Sequence, residues 1–247
     1  MPLPLANRIA LVTGASRGIG HATALALAHA GAHVVAVART VGALEELDDA
    51  IRGASGQSAT LVPLDLKDYP GIDRLGVALH ERFGRLDILV GNAGILGPLS
   101  PLGHVEPKAW DDVMAVNVTA NWRLICAMDP LLKFSDAGRV VFISSSMAAR
   151  AVAYWGAYAV SKAALETLAR TYAAETATTP VRVNLFTPGP VRTRMRAQAM
   201  PGEDPMSLKP PDEVAGKIVE LCLPSMQESG MIYSFSKGRL LAFQPPA

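Results

Sequence analysis

Cysteine is nearly missing from this chain: two occur in 247 residues. Cys126 and Cys222 lie far apart, outside any C-x-x-C or metal-ligand spacing, which excludes a disulfide framework and a cysteine-based metal site. Both are expected to be buried, reduced thiols. The five histidines (His21, His29, His33, His80 and His104) fall into no ligand spacing, so no metal is expected. An excess of charge is also lacking. Lys plus Arg number 23 and Asp plus Glu 22, for a formal net charge of +1. Such a balance gives no reason to expect nucleic acid or an anionic membrane as partner. There is no uninterrupted run of roughly 20 apolar residues, as a membrane-spanning helix requires. The opening MPLPLANRIALVTG has no basic segment followed by a long apolar one, so no signal peptide and a cytoplasmic location are expected. Neither an internal repeat nor a proline-rich linker divides the chain, and one domain over residues 1–247 is expected.

Apolar residues make up 50% of the sequence, enough to bury a large core. Short, almost continuously apolar runs alternate with longer helical patterns. The runs are residues 8–13, 33–38, 59–64, 86–91, 139–144 and 181–186, with a weaker one at 231–235. Continuous hydrophobicity suits strands covered on both faces. Helical patterns span residues 18–30, 41–52, 71–83, 108–134, 156–176 and 212–222. Strand followed by helix, repeated, means right-handed crossovers and one parallel sheet. The expectation is an α/β protein: a doubly wound parallel sheet of about seven strands, a Rossmann fold. Residues 193–211 show no period and are long for a connection; a lid over a substrate is expected there.

Thr13-Gly14-Ala15-Ser16-Arg17-Gly18-Ile19-Gly20 follows the first strand and opens a helix. Glycines at such a junction permit a tight turn and close approach of backbone to a pyrophosphate, and the helix N-terminus attracts the anion. Further along, Tyr158 and Lys162 are four apart and share a helical face. Ser145 ends the fifth strand thirteen residues before Tyr158, at the sheet edge where ligands bind in open α/β folds. Reducing a ketone puts negative charge on its oxygen and needs a proton. Tyrosine, with a pKa near 10, is a poor base unless a neighbouring cation favours the phenolate. Lys162 is expected to lower the Tyr158 pKa, and Ser145 to hydrogen-bond the substrate oxygen. Ser144 and Ser146 compete with Ser145, and only spacing selects among them. Tyr154 has no lysine four residues on, so it and Trp155 are expected to be pocket wall or packing.

The glycine spacing, written TGxxxGIG, resembles that of the short-chain dehydrogenase/reductase family. Asn92-Ala93-Gly94, Asn117, Ser145, the Y-x-x-x-K of Tyr158 and Lys162, and Pro188-Gly189-Pro190-Val191-Arg192-Thr193 follow in the family's order. The likeness runs from about residue 6 to 195 and points to the single-domain branch. It implies Asn117, Ser145, Tyr158 and Lys162 as the catalytic set, with Lys162 also on the nicotinamide ribose and Asn117 holding a water that links Lys162 to solvent. It implies a cofactor site made by Gly14, Ser16, Arg17, Gly18, Ile19 and Gly20, by the adenine-side pair Asp65 and Leu66, by Asn92, Ala93 and Gly94, by Tyr158 and Lys162, and by Pro188, Gly189, Val191 and Thr193. Asp65 would equally serve as a helix cap or turn residue. The second strand ends in Ala38-Arg39 rather than in the acidic residue that holds the ribose hydroxyls of NAD. Arg39 and Arg17 together suit a 2′-phosphate, so NADP(H) is the expected cofactor.

The expected activity is hydride transfer between NADP(H) and a small carbonyl or alcohol substrate, with Tyr158 as general acid/base. A non-catalytic NADP(H)-binding regulator, an NAD(H)-linked alcohol dehydrogenase, or another reaction on the same scaffold are the alternatives. Arg192, Arg194 and Arg196 would steer an acidic substrate or simply be solvated; Met195, Met200 and Met206 would line a pocket or pack the loop. The C-terminal stretch from Met231 lacks the V-D-G-G of many family members. A homodimer through the helices at 108–134 and 156–176 is expected, with a tetramer as the larger possibility.

Overall fold

The computed structural model describes residues 3–243. Seven parallel strands and one antiparallel strand form a single sheet, in the order β3-β2-β1-β4-β5-β6-β7-β8. They are β1 (Ile9–Thr13), β2 (His33–Ala38), β3 (Thr60–Pro63), β4 (Ile88–Gly91), β5 (Arg139–Ile143), β6 (Arg182–Thr187), β7 (Ile232–Ser234) and β8 (Arg239–Leu241). The order reverses between β1, which pairs with β2, and β4, which pairs with β1 on its other side. Crossovers leave in opposite directions there and a crevice opens at the carboxyl ends of the strands.

The alternation of side chains along each strand builds two cores. Ala10, Val12, Val34 and Ala36 face the layer made by helices α1 (Gly18–His29), α2 (Val41–Ser55) and α8 (Pro211–Leu221), where Leu27, Leu47 and Ile218 are fully buried. Leu11, Val35, Val37 and Phe142 face α3 (Tyr69–Phe83), α5 (Ala120–Lys133) and α6 (Gly156–Glu175) through Ile72, Leu124 and Leu165. Covering on both faces explains why these strands read as unbroken apolar runs. Helix ends follow local chemistry. Asp68 caps α3 by accepting from Gly71 N at 3.0 Å, and α2 stops at Gly56, whose φ of +71° is the left-handed conformation that closes helices.

The structure corrects the sequence expectation in four places. An eighth strand exists: β8 folds back on β7, with Ile232 opposite Leu241. Three residues after a turn are too short to register as a strand in the sequence pattern. The helix expected over 108–134 is broken into α4 (Pro107–Met114), a π-helical turn at Ala115–Thr119, and α5. The stretch at 193–211 carries a short helix, α7 (Arg194–Ala199), started by Thr193, whose hydroxyl accepts from Arg196 N at 3.2 Å. Cys126 is exposed, because it projects from the outer side of α5; Cys222 is buried as expected, and burial pushes its thiol up to about 12. Among the described residues no helix is long and apolar enough to cross a membrane, and no cluster of side chains could hold a metal ion.

Candidate active site

A cavity of about 1750 Å³ opens along the carboxyl edge of the sheet, over the β1–β4 reversal. One end is the glycine turn after β1. Gly14 has a φ of +65°, and a Cβ there would lie 2.9 Å from Asn92 Nδ2. Thr13 joins this turn to the loop after β4: its hydroxyl accepts from Asn92 N and Ala93 N, both at 3.1 Å. Ser16, Arg17, Gly18 and Ile19 line the cavity, and the first turn of α1 carries no acidic residue. Gly20 does not line it. A Cβ on Gly20 would fall 2.3 Å from Gly14 O, so the missing side chain lets α1 seat on the turn. Arg39, at the end of β2, lines the cavity with Asp65 and Leu66, and its Nη1 lies 4.0 Å from Asp65 Oδ2. Asp65 also makes the turn expected of it, accepting from Lys67 N at 3.0 Å.

The middle of the cavity holds Ser145, Tyr158 and Lys162. Ser145 follows β5, while Tyr158 and Lys162 occupy successive turns of α6. Ser145 Oγ accepts from Met147 N at 3.2 Å, and the same hydroxyl is near enough to Tyr158 to favour its ionised form. Burial pushes the Tyr158 hydroxyl above its ordinary value, and the neighbouring Ser145 hydroxyl draws it partly back. This reverses the expected direction, for a geometric reason. Lys162 Nζ donates to Ile143 O at 2.8 Å and stands 5.7 Å from the centre of the Tyr158 ring, without a bond to the hydroxyl. Burial lowers the Lys162 ammonium to about 8, against a rise from nearby Glu166. Gly94 faces this pair. A Cβ there would come within 3.5 Å of Lys162 Nζ, so the absent side chain leaves space in front of the ammonium. Pro188, Gly189, Val191 and Thr193 form the wall after β6.

Asn117 lies behind the cavity and is fully buried. Its Oδ1 accepts from Ile95 N at 2.8 Å, and its Nδ2 donates to Ile95 O and Ser161 Oγ, each at 2.9 Å. Its side chain is therefore spent on fixing the loop after β4 against α6, at the π turn, a distortion frequent at functional sites. Glu166, which the sequence reading missed, and Ser144, which it weighed only as a competitor of Ser145, also belong here. Ser144 Oγ donates to Glu166 Oε1 at 2.6 Å, both buried, and Glu166 reaches the cavity one turn beyond Lys162. Burial raises the Glu166 carboxyl, opposed by the Ser144 bond. The only sequence signal was its spacing from Lys162, and four-residue spacings are common on any helix.

Trp155, Leu96, Met147, Met195 and Ala199 pack around Tyr158. Met195 and Met200 line the cavity, whereas Met206 is 76% exposed and does not. Tyr154 stays outside the lining too, exposed at a φ of +73°. The three arginines after Val191 diverge: Arg196 is held by Glu203 through Nε and Nη2, both at 2.6 Å.

The short chain dehydrogenase family model matches residues 8–204. The chain belongs to the short-chain dehydrogenase family. It is 39% identical over 238 residues to the oxidoreductase YciK of Escherichia coli, covering 95% of this chain and 94% of that one. An NAD-dependent oxidoreductase of Mycobacterium tuberculosis is 35% identical, covering 88% of this chain and 90% of the relative. A short-chain dehydrogenase from Shigella flexneri, crystallised with NADP, superposes with a TM-score of 0.91 at 38% identity, covering 95% of this chain and 99% of that one.

Proposed function

We propose that this dehydrogenase transfers hydride between NADP(H) and a carbonyl or alcohol substrate, with Tyr158 moving the proton. The observation that carries this reading is the convergence of Ser145, Tyr158 and Lys162 in one cavity with the glycine turn. The residues fit the cofactor. The glycine turn meets a helix N-terminus free of acidic side chains, suited to a pyrophosphate. Gly94 leaves room before Lys162 for a ribose. Arg39 and Arg17, with no carboxylate ending β2, favour a 2′-phosphate over bare ribose hydroxyls. The relative crystallised with NADP supports the same choice.

When bound, the cofactor supplies or accepts the hydride. The chain's own groups do the rest. Ser145 hydrogen-bonds the substrate oxygen and holds it against the Tyr158 hydroxyl. Tyr158, kept protonated by burial, donates its proton as negative charge develops on that oxygen. Lys162 binds the ribose and supplies the cation that stabilises the phenolate left behind. In oxidation the proton moves the other way. Asn117 positions the β4 loop and Ser161 around this group. The segment at 193–211, with α7 and the Arg196–Glu203 pair, closes over the substrate as a lid.

The test is NADPH consumption on a panel of ketones and aldehydes, by wild type and Tyr158→Phe. Turnover that falls by at least about 10²-fold in the variant, with NADPH binding kept, supports the reading. Full turnover in Tyr158→Phe would overturn it.

A further inference from the structure

The cavity is far more cationic than the chain. Eight Lys and Arg side chains line it against two carboxylates, Asp65 and Glu166, although the whole protein carries only +1. Most of these cations already have work. Arg17 and Arg39 stand at the glycine turn and the end of β2, and Lys162 beside Tyr158. Arg196 is bound by Glu203, and Arg192 Nη1 rests 3.1 Å from Met206 Sδ. Arg194 follows Thr193, whose methyl carbon would lie 3.4 Å from a Cβ on Gly18, so it stands on the glycine-turn side.

Arg150 is different. Its side chain, like that of Lys237 just beyond β7, is exposed, lines the cavity and makes no hydrogen bond or ion pair among the described residues; what sets Arg150 apart is its place beside the reacting group. It lies on the loop between β5 and α6, the same loop that carries Ser145 and Met147 and ends at Trp155. Met147 and Trp155, with Leu96, form the apolar wall around Tyr158. That wall continues outward through Val152 and Met200, which are 41% and 40% exposed yet line the cavity. An apolar passage that starts at the reacting tyrosine and passes an unpaired guanidinium matches a two-part ligand. Apolar surface is retained in water at a cost, and a free guanidinium presents a fork of donors to an oxyanion.

We propose that the substrate is an amphiphile: a carbonyl compound with an apolar body and an anionic group, carboxylate or phosphate, received by Arg150 at the mouth. This rests on the carbonyl-reduction reading and names its substrate class. The apolar body lies against Met147, Trp155 and Met195, with the carbonyl at Ser145 and Tyr158.

The test is calorimetric titration of the NADP-loaded protein with decanoate, decyl phosphate, 1-decanol and acetate, below micellar concentrations. Decanoate or decyl phosphate is expected to bind at least about tenfold tighter than both 1-decanol and acetate; the stronger of the two identifies the oxyanion. Arg150→Ala should remove at least about fivefold of that affinity and leave the 1-decanol and NADP constants within about twofold. Arg150 is exposed, so the variant keeps the fold, and Arg194→Ala provides a matched loss of one cation. Equal binding of decanoate, decyl phosphate and 1-decanol overturns the anionic group. An unchanged Arg150→Ala, or an equal loss in Arg194→Ala, overturns the assignment to Arg150. Failure of NADP itself to bind would instead strike the cofactor reading.

Discussion

Glu166 accepts a 2.6 Å hydrogen bond from Ser144, the residue immediately before Ser145, and it lies one helical turn from Lys162. The carboxyl thus touches both halves of the reacting group: the end of β5 by a hydrogen bond, and the lysine by charge. Glu166 raises the Lys162 ammonium against the burial that holds it at about 8. Removing that negative charge lets Lys162 lose its proton at lower pH. Glu166→Gln keeps an acceptor for Ser144, so the fold should hold while the alkaline loss of NADPH binding moves to lower pH. Glu166→Ala also strands the Ser144 hydroxyl and should cost about 1–3 kcal/mol of stability. A pH series of NADPH dissociation constants with thermal melts checks both. The same pH midpoint in wild type and Glu166→Gln would leave Glu166 a purely structural residue.

The rate should depend on pH with opposite signs in the two directions. Burial holds Tyr158 above its ordinary value, so the proton-donating form persists through neutral pH. Reduction should therefore be flat through neutrality and fall under alkaline conditions, as Tyr158 and Lys162 lose protons. Oxidation needs the phenolate and should rise over the same alkaline range. Initial rates in both directions, from about pH 6 to pH 10, decide this. An oxidation rate that falls with rising pH would rule out Tyr158 as the base.

Arg39→Ala should weaken NADPH binding by roughly 10- to 100-fold and leave NADH binding almost unchanged, since one charge-assisted contact to phosphate is worth about 1.5–3 kcal/mol. Its side chain is 64% exposed, so stability should be unaffected. Fluorescence titration with both nucleotides is the measurement. Preferential NADH binding by the wild type would overturn the arginine argument while leaving Tyr158 in its role.

We infer a homodimer through α5 and α6. Trp122 on α5 and Val160 on α6 are 47% and 43% exposed, large apolar surface on the two helices expected to form the dimer face. Trp122→Glu should shift the protein toward monomer in sedimentation velocity. A wild type that sediments as a monomer at micromolar concentration would remove the inference.

The alternation of apolar strands with helical patterns reflects burial on both faces, a local demand on composition, and so the doubly wound sheet was readable from residues alone. So were the glycine turn and the Tyr158–Lys162 pair, because covalent spacing sets both. The fate of each charged or polar side chain was not readable, since pairing joins residues distant in sequence. Asn117 turns to Ile95 and Ser161, Lys162 to Ile143, and Glu166 to Ser144. The π turn and β8 likewise depend on packing that short periods do not encode. The sequence by itself determined the sheet, its crevice and the chemical types gathered there. The tertiary structure decided which of those groups face the cavity, which hold it in shape, and which way burial moves their protons, because desolvation exists only once the chain has folded around them.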